Sequence, residues 1–423
     1  MKNLSSTPLL RLSLCIVVLL ATCSAYPQIT LSEYRQSVYD TSPELANAVA
    51  FREQSYATMR QEKTSFLPRL SASGSLKSAL RRSTSGDKFW GFAMQPALTQ
   101  TIYGGGVVRA TFNQTMTGYE SSQQNEQSVL LYMRYAADYA YWNLSAQQLY
   151  KAATDEYVAI IKSLYMVVQE RYAEGYVPRS DMLQVEARLS DAEYSQIALQ
   201  NNYDVALHSF NNLRSVDQST DVILSESIID SIPMPRRVSS EELAARRPDI
   251  KMAELAIRSA QLATKITRAA YNPQISATVN GSWHTFTPNI SNKTYIDGAA
   301  TISFSVPIYH WGERRYARAR ARADERIAEN DLENALDDML QEEADGWSAL
   351  QNSYSQMQSS LKNLQIAGEN LSISTYSYQE GQATVLDVLQ AQISWIQIYT
   401  NAITARFNYA VAVSAYMRLT AED

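Results

Sequence analysis

Few side chains in this 423-residue sequence are of the kinds that make or break bonds. Its three histidines, His208, His284 and His310, lie far apart, and its two cysteines, Cys15 and Cys23, fall near the start. Neither spacing is that of a ligand set, so no metal and no other cofactor is expected. There is no nucleotide-binding glycine loop and no paired nucleophile motif, so the sequence does not read as an enzyme. Gly104-Gly105-Gly106 has the composition of a phosphate cradle. A sharp strand-to-helix transition explains it better, because the equivalent stretch around Gly312 keeps a single glycine. The patterned polar residues are instead acids and tyrosines that occur twice. Tyr172, Glu174, Gly175, Asp181, Leu183 and Gln184 return as Tyr378, Glu380, Gly381, Asp387, Leu389 and Gln390 at a constant offset of 206. The chemistry open to such acids is electrostatic: they concentrate cations, or they cap a helix.

Each copy reads as the tip of a helical hairpin, in which a helix ends at glycine and an aspartate opens the returning helix. The helices before the tips are long. From Gly106 to Gly175, and again from Gly312 to Gly381, 69 residues run without proline. Such a helix spans on the order of 100 Å. Val158, Ile161, Tyr165, Val168 and Tyr172 give the first a coiled-coil seam, and Leu386, Leu389, Ile393 and Ile396 continue one in the last helix.

The rest of the chain repeats as well. Ser42-Pro43-Glu44-Leu45 corresponds to Arg247-Pro248-Asp249-Ile250, and Pro68 to Pro273, at an offset of 205. After each of these prolines the period changes from 3.6 to 2. Four runs over 69–82, 89–102, 274–286 and 296–308 alternate apolar with small or polar residues, each about as long as a tilted membrane strand, and the alternation alone does not separate this reading from a half-buried hairpin in a soluble sheet. The reading by segment is a signal peptide over 1–25, then helix over 26–68, a β-hairpin over 69–102 and a long helical hairpin over 103–212. A linker with little regular structure over 213–240 follows, then helix over 241–273, a second β-hairpin over 274–309 and a second long helical hairpin over 310–423. Duplication is the firmest of these readings.

Composition agrees. The chain is 45% hydrophobic and 19% charged with net charge −6, which excludes a disordered chain and gives no basic footprint for nucleic acid. Lys2, Arg11 and the apolar run to Ala21 mark the signal peptide, with cleavage expected after Ala25. The alternative is acylation at Cys23. Four strands cannot close a barrel, and lipid does not tolerate an open sheet edge. The chain must therefore oligomerise, and three copies would supply twelve strands.

The sequence resembles the TolC-like outer-membrane efflux protein family over essentially the whole mature chain. The marks are Arg247-Pro248-Asp249-Ile250 with Ala253-Glu254, Pro273-Gln274-Ile275, Pro307-Ile308-Tyr309 before Gly312, and the paired tips. The Arg-Pro-Asp-Ile stretch is most similar to the branch that works with resistance-nodulation-division pumps. The resemblance implies a mostly α protein with membrane β: a homotrimer with a twelve-stranded β-barrel in the outer membrane of a Gram-negative bacterium and a coiled-coil α-barrel in the periplasm. It implies the exit duct of a tripartite efflux or secretion system, fed by a periplasmic adaptor and an inner-membrane pump. Alternatives are a type I protein-secretion duct and a periplasmic coiled-coil spacer. By position the periplasmic gate would comprise Asp387, Gln390, Asp181, Gln184, Tyr378 and Tyr172. Asp387 matches a ring aspartate, while Gln390 and Ala383 stand where an acid and an arginine are found in the best-studied gate. The adaptor would meet Gly175, Val177, Pro178, Arg179 and Ser180 on one tip, and Gly381, Gln382, Ala383 and Thr384 on the other. Leu70, Leu76, Trp90, Phe92, Val279, Trp283, Ile302 and Phe304 are expected to face lipid.

Overall fold

The computed structural model describes residues 28–78, 90–285 and 293–422. The expected signal peptide with Cys15 and Cys23, the first hairpin turn and most of the second lie outside the described residues. The chain divides into two compact units.

One unit contains residues up to 42, 133–235 and 347–416. It opens with β1 (Gln28–Ile29) and α1 (Leu31–Thr41). Thr30 caps α1 reciprocally with Glu33: each side chain bonds the other residue's backbone N–H. Tyr34 of α1 is fully buried, stacks on Phe210 at 3.9 Å between centroids and donates to the Phe210 carbonyl. Burial pushes its phenol pKa up. Beside it Arg35 makes a two-pronged ion pair with Asp138, at 2.5 and 2.7 Å. The segment 213–240, expected to hold little regular structure, contributes one two-residue strand. Its β4 (Ile223–Leu224) pairs in parallel with β1, and Tyr141 Oη donates to the Ile29 carbonyl and accepts from Glu226 N. Backbone donors and acceptors that lack helix partners are satisfied this way.

The other unit contains residues 43–132, 236–346 and 417–423. Helix α2 (Pro43–Lys63) and a short 3₁₀ turn lead into β2 (Arg69–Ser78), followed by β3 (Trp90–Gly104). Helix α3 (Val107–Ala173) begins here and ends in the first unit, where α4 (Arg179–Leu213) returns. The second copy comprises α5 (Ser240–Arg246), α6 (Pro248–Ala269), β5 (Gln274–His284), β6 (Tyr295–Ser305), α7 (Glu313–Gln379) and α8 (Val385–Leu419). The duplication is metrical: α3 and α7 have 67 residues each, α4 and α8 have 35 each.

The Arg-Pro-Asp-Ile motif has a local physical reason. Pro248 starts α6 where no N–H is needed, and Ile250 is buried with Leu243 and Met339. Arg247 grips Asp249 and also reaches Glu342 of α7 at 2.7 Å.

The strands form one antiparallel sheet in the order β2-β3-β5-β6. The last strand stops at Ser305, short of the 308 expected from alternation, because Pro307 has no N–H for the ladder. Strand β3 instead runs on to Gly104, helped by a register shift between Thr101 and Tyr103 that realigns Tyr103 with Ile275.

Candidate functional site

Register decides which side chains share a face of the sheet. Leu70 lies opposite Leu98, and Leu76 opposite Phe92. Leu98 in turn faces Val279, and Met94 faces Trp283. Beyond them Ile275 pairs with Phe304, and Ala277 with Ile302. All eight residues named from the alternation therefore lie on one face, which carries almost nothing polar. Leu70, Leu76, Ile302 and Phe304 are each at least 68% exposed in the single chain. The opposite face carries serines, threonines, Gln95, Asn280 and Asp297. Strands β2 and β6 are both edges, with no partner strand among the described residues.

That polar face brings together a serine, a histidine and an acid that sequence spacing alone does not single out. Ser282 Oγ lies 2.7 Å from His284 Nε2 and donates to the Asp297 carboxylate. With its proton given to Asp297, the serine can only accept from the imidazole, the reverse of what base activation requires. The cluster ties β5 to β6.

At the tips, α3 and α7 end identically. Tyr176 N donates to the Arg171 carbonyl at 2.8 Å and Gly175 N to Tyr172 at 3.0 Å; Gln382 N donates to Ser377 at 2.8 Å and Gly381 N to Tyr378 at 3.0 Å. Gly175 and Gly381 take the required left-handed φ of 80° and 76°. The next helix is capped as well. Thr384 N and Oγ1 both donate to Asp387 Oδ2, and Asp387 N donates back to Thr384 Oγ1. These hydrogen bonds hold the Asp387 carboxyl below the usual aspartate range. Asp387, Gln390 and Gln184 are exposed, and Asp181 is half-exposed, accepting from Ser180 Oγ at 3.1 Å.

One residue of the expected gate does not stand free in the single chain. Tyr378 is buried in the core beneath the tips, its hydroxyl without a partner among the described residues, while its counterpart Tyr172 is 38% exposed. Arg171 lies over the Tyr378 ring at 4.7 Å and donates to the carbonyls of Tyr378 and Gln379. It thereby joins the first tip to the second. Sequence reasoning passed over Arg171, although one signal was present: the repeat places Ser377 at its equivalent position.

The seam also differs from the expected one. Leu386 is 56% exposed, and the buried positions are Val385, Val388, Leu389 and Trp395. On α3, Ile161 and Val168 are fully buried, but Tyr157 and Leu164 occupy the seam where Val158 and Tyr165 were expected. The start of α8 has apolar residues at four of five positions, so its periodicity is degenerate. Packing among α3, α4, α7 and α8 selects the face.

Paired long hairpins and a four-stranded sheet with one apolar face are the parts of an outer-membrane channel subunit, and comparison with known proteins agrees. The model of the outer membrane efflux protein family matches residues 35–214 and 240–422. The chain belongs to that family, whose place is the outer membrane. It is 23% identical over 307 residues to the toluene efflux pump outer membrane protein TtgC of Pseudomonas putida, and to the antibiotic efflux pump outer membrane protein ArpC of the same species. In both, the match spans 68% of this chain and 60% of the relative. The fold is shared with CusC at a TM-score of 0.81 and 17% identity, over 95% of this chain and 96% of that one. It is shared with VceC of Vibrio cholerae at 0.77 and 18%, over 93% and 96%.

Proposed function

We propose that this protein is the outer-membrane exit duct of a tripartite efflux system and conducts substrates passively without catalysing a reaction. One observation carries the reading: the sheet has one apolar face and two edges without a partner strand among the described residues. In lipid those edges must be paired, and three copies joined β6 to β2 close a twelve-stranded barrel. The face bearing Leu70, Leu76, Trp90, Phe92, Val279, Trp283, Ile302 and Phe304 then meets lipid, and the polar face lines the channel. The tips, residues 175–181 and 381–387, form the surface for a periplasmic adaptor, which links the duct to an inner-membrane pump of the resistance-nodulation-division type. Asp387, Gln390, Asp181 and Gln184 line the narrow end. The names of the relatives, a toluene pump and an antibiotic pump, make small organic compounds the first class to test.

The test is made on the purified full chain in detergent. A heat-labile trimer that conducts ions across a planar bilayer supports the reading. A soluble monomer without conductance would support a periplasmic spacer instead.

A further inference from the structure

The internal duplication makes the structure a template for a contact that a single copy does not contain. Where β3 passes into α3, the chain packs against the end of α6. A Cβ on Gly105 would lie 2.4 Å from the Ala269 carbonyl oxygen and 2.9 Å from Asn272 Cβ, and Asn272 Nδ2 donates to the Gly105 carbonyl. Ala110, Leu262 and Ala269 are buried there. The repeat offsets carry this junction onto β6 and α7 on one side and α2 on the other. Gly105 becomes Trp311, Ala110 becomes Tyr316, Ala269 becomes Thr64 and Asn272 becomes Leu67.

Every one of these equivalents is uncovered. Trp311 is 87% exposed, Tyr316 70% and Leu67 63%, and Thr64 is exposed too. The backbone is conserved across the copies: Trp311 has a left-handed φ of 49°, against 66° for Gly105. An aromatic residue is costly in that conformation. The same offsets carry the Leu98–Val279 pairing to Phe304 opposite Gly74, which places both on the apolar face. Like charges do not forbid the contact. Arg315 would approach Arg60 and Lys63 as Arg109 already approaches Lys265 and Arg268, which line one cleft.

We propose that Trp311 and Tyr316 of one copy pack onto Thr64 and Leu67 of a second copy, closing the seam below the β6–β2 joint. This rests on the trimeric reading above and adds to it a specific asymmetry. Three junctions within copies are tight, backbone against backbone at glycine. The three between copies are wider and filled by indole and phenol rings. The left-handed strain at Trp311 is then offset by burial that the single chain does not provide.

The experiment uses the full chain carrying both Trp311→Cys and Leu67→Cys, oxidised in detergent, with each single variant as control. Light scattering independently reports the mass of the unoxidised particle. A trimeric mass with covalent dimers and trimers on a non-reducing gel, lost in both single variants, is the expected result. A trimeric mass without cross-links overturns the proposal and leaves the duct reading intact. A monomeric mass overturns both. A photoreactive benzoylphenylalanine in place of Trp311, irradiated in phospholipid nanodiscs, gives a second readout. Adducts within residues 57–67 of another copy support the contact, whereas adducts to phospholipid assign Trp311 to the lipid boundary and overturn it.

Discussion

Asp387 carries two opposed effects, and they can be separated. Its hydrogen bonds to Thr384 lower its pKa. A group whose pKa is lowered on folding contributes stability that is fully present above its unfolded value, and that is lost as pH falls through the folded value. The cap therefore holds at neutral pH and weakens only in acid, below the ordinary aspartate range near 4. Three such carboxylates at a constriction would repel and raise their apparent pKa values as a set. In bilayer recordings of the trimer, Asp387→Ala is expected to weaken cation selectivity and block by divalent ions. Thr384→Ala removes the cap and leaves the charge. It is expected to cost about 1 kcal/mol in unfolding experiments with selectivity retained. If the two variants alter conductance equally, Asp387 is only a cap. Gly381 offers a different kind of test. Among the described residues nothing lies within 4 Å of a Cβ built there, so the first side-chain carbon has room. A valine would be held at φ 76°, costing roughly 1–2 kcal/mol. Gly381→Val is expected to abolish export in a susceptibility assay while the trimer still assembles.

Elements respond to changes of face and to broken anchors. Ile302 lies on the apolar face of the edge strand β6 and is 75% exposed in the single copy. Ile302→Arg is expected to cost roughly 2–4 kcal/mol if the position lies near the bilayer midplane. The readout is a lower temperature of trimer dissociation. Thr301→Arg, one residue along and on the polar face, should be tolerated, and an equal loss in both would reject the lipid-facing assignment. Helix α1 is anchored by Arg35 on Asp138, whose side chain is only 2% exposed. Asp138→Ala leaves the guanidinium half-buried without its partner and is expected to destabilise by about 3 kcal/mol. Denaturant unfolding of that variant against Asp138→Asn, which keeps hydrogen-bonding capacity, isolates the charge.

For the whole molecule, assembly follows from what one chain leaves unsatisfied. Among the described residues two sheet edges lack partners, and a face of leucine, isoleucine, tryptophan and phenylalanine has nothing covering it. A trimer in lipid removes both deficits. Mass measurement of the extracted particle should therefore give three copies. A stable monomer in mild detergent would contradict the barrel.

The sequence alone determined what repetition and periodicity can encode. Two offsets fixed the duplication, the glycines at 175 and 381 fixed the tips, and period-2 alternation chose the apolar strand faces. These are local properties, since the residue that needs a left-handed φ, or the side of a pleat, is set within a few positions along the chain. Other features were decided only by tertiary structure. Val385 and Val388 line the core rather than Leu386, because four helices compete for a stripe that an almost wholly apolar segment leaves open. Tyr378 is drawn beneath Arg171, and a linker strand pairs with residues nearly 200 positions earlier. Asp297 meets Ser282, two residues before His284 on the same strand, only through the register of β5 on β6. Such contacts depend on which distant surfaces meet, and no local period records that.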